Sequence, residues 1–299
     1  MFKKSFRIWN SKFAGGLFMF MTIFSILLVI IIGLGLYFKS APLLHEKGFL
    51  EILTTNAWRP GKGEFGFLPF IAGTLSVTLI AIILALPLSL LTSLFLTEYS
   101  RKHLRKVVFT ALDILAAIPS VVYGVWGTLF IVPWIADKLS PYFVEYSSGY
   151  SVLAGGIVLG IMVLPLLINL FTELFSSVPR ELREASVSLG ATRWQTSKFV
   201  VIKRTASGIL AAIVLAFSRA FGETIAVLMV CGNIPLIPES IFDACYPLPA
   251  LIANNYGEML SIPLYESALM LAAFILFAVV LVFNAGARIV IYRIERNYQ

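Results

Sequence analysis

Residues Ala14 to Phe38 read AGGLFMFMTIFSILLVIIIGLGLYF, twenty-five residues without a charge. A helix rises about 1.5 Å per residue, so about 20 apolar residues cross the ~30 Å hydrocarbon layer of a bilayer. The stretch is longer than the ~7–15-residue apolar core of a signal peptide, and no A-x-A site follows it; it reads as a retained span. The rest of the 299-residue chain agrees, with 59% apolar or aromatic residues and 13% charged and a mean hydropathy of +0.91. Soluble domains carry about 25% charged residues. A soluble enzyme of one or two domains, a disordered chain, a collagen and a disulfide scaffold are all excluded. Cys231 and Cys245 make neither a disulfide framework nor a zinc ligand set, and are expected as two inert thiols.

Five further spans follow, at about Phe70–Leu96, Val107–Ile135, Ser151–Leu170, Ala206–Ile234 and Ala268–Ile291. The third contains Asp113, Pro119 and Pro133 and is expected to bend or break. The expectation is an all-α membrane protein of six transmembrane helices. Charge orients it: with both termini and alternate loops on one side, that side holds 17 Lys and Arg, the other holds 5, and Arg219 lies within the membrane. Cytoplasmic loops carry the basic excess, so both termini are expected in the cytoplasm. The net charge of +7 is then a topology signal, and nucleic acid is not expected as a partner. The organisation read from this is an N-terminal part, residues 1–69, a five-helix core at 70–292, and a tail at 293–299.

Two loops are more than connectors. The external one, about Pro235–Tyr265, holds five prolines and no Lys or Arg. Irregular backbone at membrane depth must be covered by protein or line a wet cavity, so this loop reads either as a cap over a pathway or as an ordinary surface loop. The cytoplasmic one, residues 173–205, carries helix signals: Pro179 at a start, Gly190 at a stop, and Thr192-Arg193-Trp194-Gln195 in the form of a capping box. Two short amphipathic helices joined at Gly190 are predicted, either lying on the membrane or offering a docking surface.

Chemistry in the chain is sparse. No G-x-x-x-x-G-K-[ST], H-E-x-x-H or G-x-S-x-G occurs, so the chain carries no phosphate-cradling ATP loop, and no cofactor or metal is expected. His45 and His103 fall on opposite sides of the membrane. Arg219 and Glu223, four residues apart, are predicted on one helix face. A charge at mid-bilayer costs roughly 2.5–3.5 kcal/mol on insertion scales, which leaves either a self-neutralising pair or an anion site facing water. Asp113 is expected near the cytoplasmic interface, in reach of Arg105 or Lys106, with a structural role. Ser120 and Tyr123 follow Pro119 and have hydroxyls suited to an anion; a bent, tightly packed helix would carry the same residues.

The segment Glu184-Ala185-Ser186-Val187-Ser188-Leu189-Gly190 resembles the E-A-A-x-x-x-G loop of ABC-importer permeases, in which two short helices dock into the ATPase. The family usually continues into Leu-Pro where this chain has Lys203-Arg204. Phe65-Gly66-Phe67-Leu68-Pro69, Ala116-Ala117-Ile118-Pro119-Ser120-Val121-Val122-Tyr123-Gly124 and Arg219-Ala220-Phe221-Gly222-Glu223-Thr224 together resemble phosphate ABC-importer permeases. Trp58-Arg59-Pro60 and Gly124-Val125-Trp126-Gly127 resemble the PstC-type subunit more than its PstA-type partner. The resemblance implies a type I importer permease fold with cytoplasmic coupling helices. It further implies a heterodimer with a second permease, two ATPase subunits, an external phosphate-binding protein and inorganic phosphate as cargo. Glu184, Ala185 and Gly190 would then couple to the ATPase, and Arg219, Glu223, Ser120 and Tyr123 would line the route. A PstA-type subunit, a permease for another oxyanion, and a stand-alone channel or secondary transporter are the competing readings.

Overall fold

The computed structural model describes residues 2–257 and 263–297, the side chains of residues 2–13, 263, 294, 295 and 297 excepted. Helix α1 (Phe2–Glu46) is followed by a short α2 (Phe49–Thr54) and an antiparallel pair of two-residue strands, β1 (Trp58–Arg59) and β2 (Glu64–Phe65), with Trp58 opposite Phe65. Then come α3 (Leu68–Tyr99), α4 (Lys102–Ala117), α5 (Ser120–Tyr142) and α6 (Val152–Ser176). The helical hairpin is α7 (Arg180–Ser188) and α8 (Arg193–Arg204), followed by α9 (Ala206–Phe221), α10 (Ile225–Val230), α11 (Leu248–Asn255) and α12 (Pro263–Asn297).

Among the described residues, five helices are long and apolar enough to cross a membrane, and α8 with α9 makes a sixth, bent by 70°. The bend falls at Thr205, directly after Lys203-Arg204, so it forms here without the proline usual in the family. The third span breaks, as expected, but its start differs from the expectation. The chain breaks at Ile118-Pro119, because a residue before proline is driven out of the helical region and Ile118 is extended at φ −66°, ψ 127°. The span therefore starts at Ser120, and 102–117 is a separate helix. The expected ion pairs of Asp113 with Arg105 or Lys106 are not among those of the described residues. Arg105 lies eight residues, roughly 12 Å, from Asp113 along α4, and its Nη2 donates to Ser176 Oγ at 3.2 Å; Asp113 is exposed.

Packing centres on α3 against α6, the most extensive helix pair in the molecule. Without a hydrophobic drive between helices in lipid, small residues at the seam allow close approach. A Cβ at Gly156 would sit 2.4 Å from Ile80 Cγ2. Ser93 Oγ donates across the seam to the Ile168 carbonyl at 3.1 Å. Helix α12 packs against both α1 and α9.

The proline-rich loop is neither a plain cap nor a plain surface loop. Residues 245–251 are all buried, and the Leu248 N–H donates to Thr74 Oγ1 at 2.8 Å, so the middle of the loop belongs to the core. Its entry is pinned where the Cys245 N–H meets the Cys231 carbonyl at 2.9 Å. Both thiols are free and buried.

Candidate functional site

Helix α9 buries Ala212, Ala216, Phe217, Ala220 and Phe221, and packs on α3, α6 and α12. The residues left exposed are Ala211, Leu215 and Arg219, with Gly222 just beyond. These spacings of four, four and three define one stripe along the helix. It carries small and apolar residues and a single guanidinium in the last turn, where the helix dipole favours a cation. The rotation of α9 is held from behind. Phe217 stacks on Phe283 at 4.0 Å between ring centroids, and Asn284 Nδ2 donates to Ser218 Oγ at 2.8 Å. These contacts on the two residues before Arg219 keep its side chain on the open face.

Glu223 lies beyond the end of that helix. Helix α9 ends at Phe221; the Glu223 N–H closes a tight turn onto the Ala220 carbonyl at 3.2 Å and Thr224 Oγ1 donates to the Gly222 carbonyl at 3.2 Å, after which α10 starts at Ile225. The one-face prediction assumed an unbroken helix. The ion pairs among the described residues are Lys39–Glu266, Arg59–Glu64 and Glu98–Arg183, so Arg219 and Glu223 do not neutralise one another.

The break after α9 lies beside the break before α5. Helix α5 packs on α10, and a Cβ at Gly124 would come within 3.2 Å of Ala226 Cα. Ser120, at the first position of α5, is half-buried. Tyr123 is buried, and its hydroxyl donates back across the Pro119 break to the Leu115 carbonyl at 2.8 Å. The Tyr123 proton expected for an anion is thus committed to satisfying the last turn of α4.

The hairpin of α7 and α8 folds as its end signals predict. At Gly190, φ is +86°; its N–H bonds the Val187 carbonyl at 2.9 Å and the Ala191 N–H bonds Ser186 at 3.2 Å. These are the two bonds of a Schellman stop, which requires a left-handed residue. Helix α8 opens on a complete capping box: Gln195 N–H to Thr192 Oγ1 at 3.2 Å and Thr192 N–H to Gln195 Oε1 at 2.8 Å. The hydroxyls of Ser186 and Thr196 join the two helices at 3.0 Å. Glu184, Ala185 and Gly190 are exposed, and beside them stand apolar side chains in the open, with Leu189 89% and Trp194 51% exposed.

Sequence reading missed what holds this hairpin to the core. Arg183 Nε and Nη2 reach Glu98 Oε1 at 3.2 and 3.0 Å, Nη2 also donates to the Phe175 carbonyl at 2.6 Å, and Nη1 donates to the Val178 carbonyl. A charge at the end of α3, 85 residues away in sequence, leaves no local signal for such a pairing.

Comparison with known proteins agrees with this architecture. Residues 86–297 match the family model described as binding-protein-dependent transport system inner membrane component. The chain is 34% identical, over 88% of each chain, to the probable phosphate transport system permease protein PstC of Methanocaldococcus jannaschii. It is 35% identical to the phosphate transport system permease protein PstC of Pasteurella multocida, over 93% of this chain and 90% of that one. Among solved structures, a chain of the bacterial alginate ABC transporter, in complex with its alginate pentasaccharide-bound periplasmic protein, superposes with a TM-score of 0.61. The identity is 18%, covering 94% of this chain and 96% of that one. A chain of the inward-facing MetNI methionine ABC transporter superposes with a TM-score of 0.55 at 17% identity, over 77% of this chain and 94% of that one. By family model, by sequence and by fold, the chain belongs to the inner membrane components of binding-protein-dependent transport systems.

Proposed function

We propose that this chain is the PstC-type permease subunit of an ATP-driven inorganic phosphate importer, set in the cell membrane with both termini in the cytoplasm. It forms half of an alternating-access pathway with a second permease. Two ATPase subunits drive it, and an external phosphate-binding protein delivers the cargo. The observation that carries this reading is the α9 stripe, which holds one guanidinium among small and apolar residues with no ion-pair partner among the described residues. A charge at such a position needs a partner or water. A passing phosphate, carrying about −1.5 to −2 at neutral pH, meets a planar fork that matches its oxygens. Ser120 and Glu223 flank the two adjacent helix breaks, Ser120 as a hydroxyl donor and Glu223 as the carboxylate that keeps the anion from being trapped.

The chain has no ATP loop, so the energy enters through Glu184, Ala185, Leu189 and Gly190, which dock into the ATPase. The exposed apolar tip at Leu189 is the surface a protein partner would cover. The test is phosphate uptake in cells, with assembled complex quantified alongside. Arg219→Gln should abolish uptake while the complex persists, and Arg219→Lys, a point charge in place of a fork, should recover only part. Normal uptake by Arg219→Gln would overturn the reading. Competition with sulfate and molybdate on the purified complex tests the choice of oxyanion.

A further inference from the structure

Glu98 stands in the last turn of α3, where the backbone widens into a π-turn over Phe95–Tyr99; such turns recur at functional positions. Its carboxylate meets Arg183 of α7 through Nε and Nη2 at 3.0–3.3 Å. The same guanidinium caps the carbonyls of Phe175 and Val178 at the cytoplasmic end of α6. The side chains are 20% and 12% exposed, so the pair is largely withdrawn from water. One side chain of the docking hairpin is therefore bonded at once to the ends of α3 and α6, the two helices that pack most extensively. Helix α8 joins the same unit through Ser186 and Thr196.

We propose that Glu98 and Arg183 form the strut that transmits movement of the docked hairpin to the α3–α6 core, making both positioning residues for transport. The proposal rests on the reading that α7 and α8 dock into an ATPase. Without Glu98 the hairpin loses its bond to α3, and α7 stays joined to α6 alone, through the turn at Ser177–Pro179 and the Arg183 bonds to the Phe175 and Val178 carbonyls, so a push on the hairpin can be absorbed there. Docking uses the exposed side, with Glu184, Ala185 and Leu189; the strut uses the buried side. Binding of the ATPase and transmission of its stroke are thereby separable.

The experiment uses the whole complex, reconstituted in liposomes with its ATPase and phosphate-binding protein. In Glu98→Ala the ATPase should remain bound and basal hydrolysis stay within about twofold, while phosphate uptake and the stimulation of hydrolysis by loaded binding protein fall about tenfold, the scale of a coupling between sites. Glu98→Asp, which keeps the charge, should recover most of the stimulation; a merely space-filling role would not distinguish it from Ala. Uptake and stimulation at the wild-type level in Glu98→Ala would overturn the proposal. So would loss of the ATPase from the complex, which would make the pair a docking scaffold. If Glu98→Ala inserts poorly, Glu98→Gln, of nearly the same volume, is read by the same criteria. Leu189→Asp separates this test from the docking reading: the ATPase should dissociate from that variant, and its retention would sink the docking reading whatever Glu98 does.

Discussion

Two arginines of this chain sit in opposite circumstances. Arg183 is well supplied with acceptors: a carboxylate and two backbone carbonyls take donors from Nε, Nη1 and Nη2 in a largely buried cleft. Arg219 is held in place through the residues before it, Phe217 and Ser218, yet it has no ion-pair partner among the described residues. A guanidinium bonded to protein acceptors suits a joint, and one positioned and left open suits a receptor. The two proposed roles, mechanical for Arg183 and ligand-binding for Arg219, rest on this difference in the supply of acceptors around each.

The contrast can be broken most severely at the joint. Arg183→Met should strand Glu98 and take one donor each from the Phe175 and Val178 carbonyls. Breaking a buried pair from one side costs roughly 3–5 kcal/mol, and the residual exposure here brings the expectation to about 2 kcal/mol. The thermal midpoint of the purified subunit or complex should drop clearly. Arg219→Gln should leave that midpoint unchanged while uptake is lost. Equal midpoints for the two variants would erase the distinction.

Next in size is Gly190→Val. A β-branched residue in a left-handed position costs about 1–2 kcal/mol, and that strain disrupts the turn beside the exposed Leu189. The subunit should still insert, while copurification of the ATPase, or its stimulation by substrate, is lost. Thr192→Ala removes the cap of α8, worth roughly 1 kcal/mol, and should lower substrate-stimulated ATP hydrolysis without abolishing it. The smallest effect is expected of Tyr123→Phe. Deleting the bond to Leu115, whose carbonyl keeps the Ile118 N–H at 3.3 Å, should cost about 1 kcal/mol, and uptake per assembled complex should stay near wild type. A loss of uptake without loss of stability would return the Tyr123 hydroxyl to the substrate route.

These expectations also mark what was legible in the sequence. The hairpin could be read because caps are local: Thr192 and Gln195 are three residues apart, and a glycine at a helix stop states its own backbone requirement. Arg219 could be read because a charge in an apolar run is conspicuous. The relation of Arg219 to Glu223 could not, since four-residue spacing implies a shared face only in an unbroken helix, and the turn bonds at Gly222–Thr224 depend on how α10 packs against α5. The start of the third span was misplaced because Val107–Ala117 is apolar enough to pass for membrane, and only the extended backbone at Ile118-Pro119 separates it from α5. Pairing of Glu98 with Arg183 depends on α3 and α6 ending side by side, which nothing in either local segment encodes.

The central claim is that the open stripe of α9 faces water and substrate rather than lipid. The direct measurement is the reactivity of single cysteines toward a charged thiol reagent in the assembled complex, with Cys231 and Cys245 replaced by alanine. Gly222→Cys is well placed, because a Cβ there meets nothing closer than the Ser218 carbonyl at 3.7 Å. Ile83→Cys, at an exposed position of α3, is the lipid-facing control. The account predicts that Gly222→Cys reacts, that its rate changes when ATP and phosphate-loaded binding protein are added, and that Ile83→Cys stays inert. If Gly222→Cys is as unreactive as Ile83→Cys in every state of the transport cycle, the stripe is a dry packing face and Arg219 is not in the route.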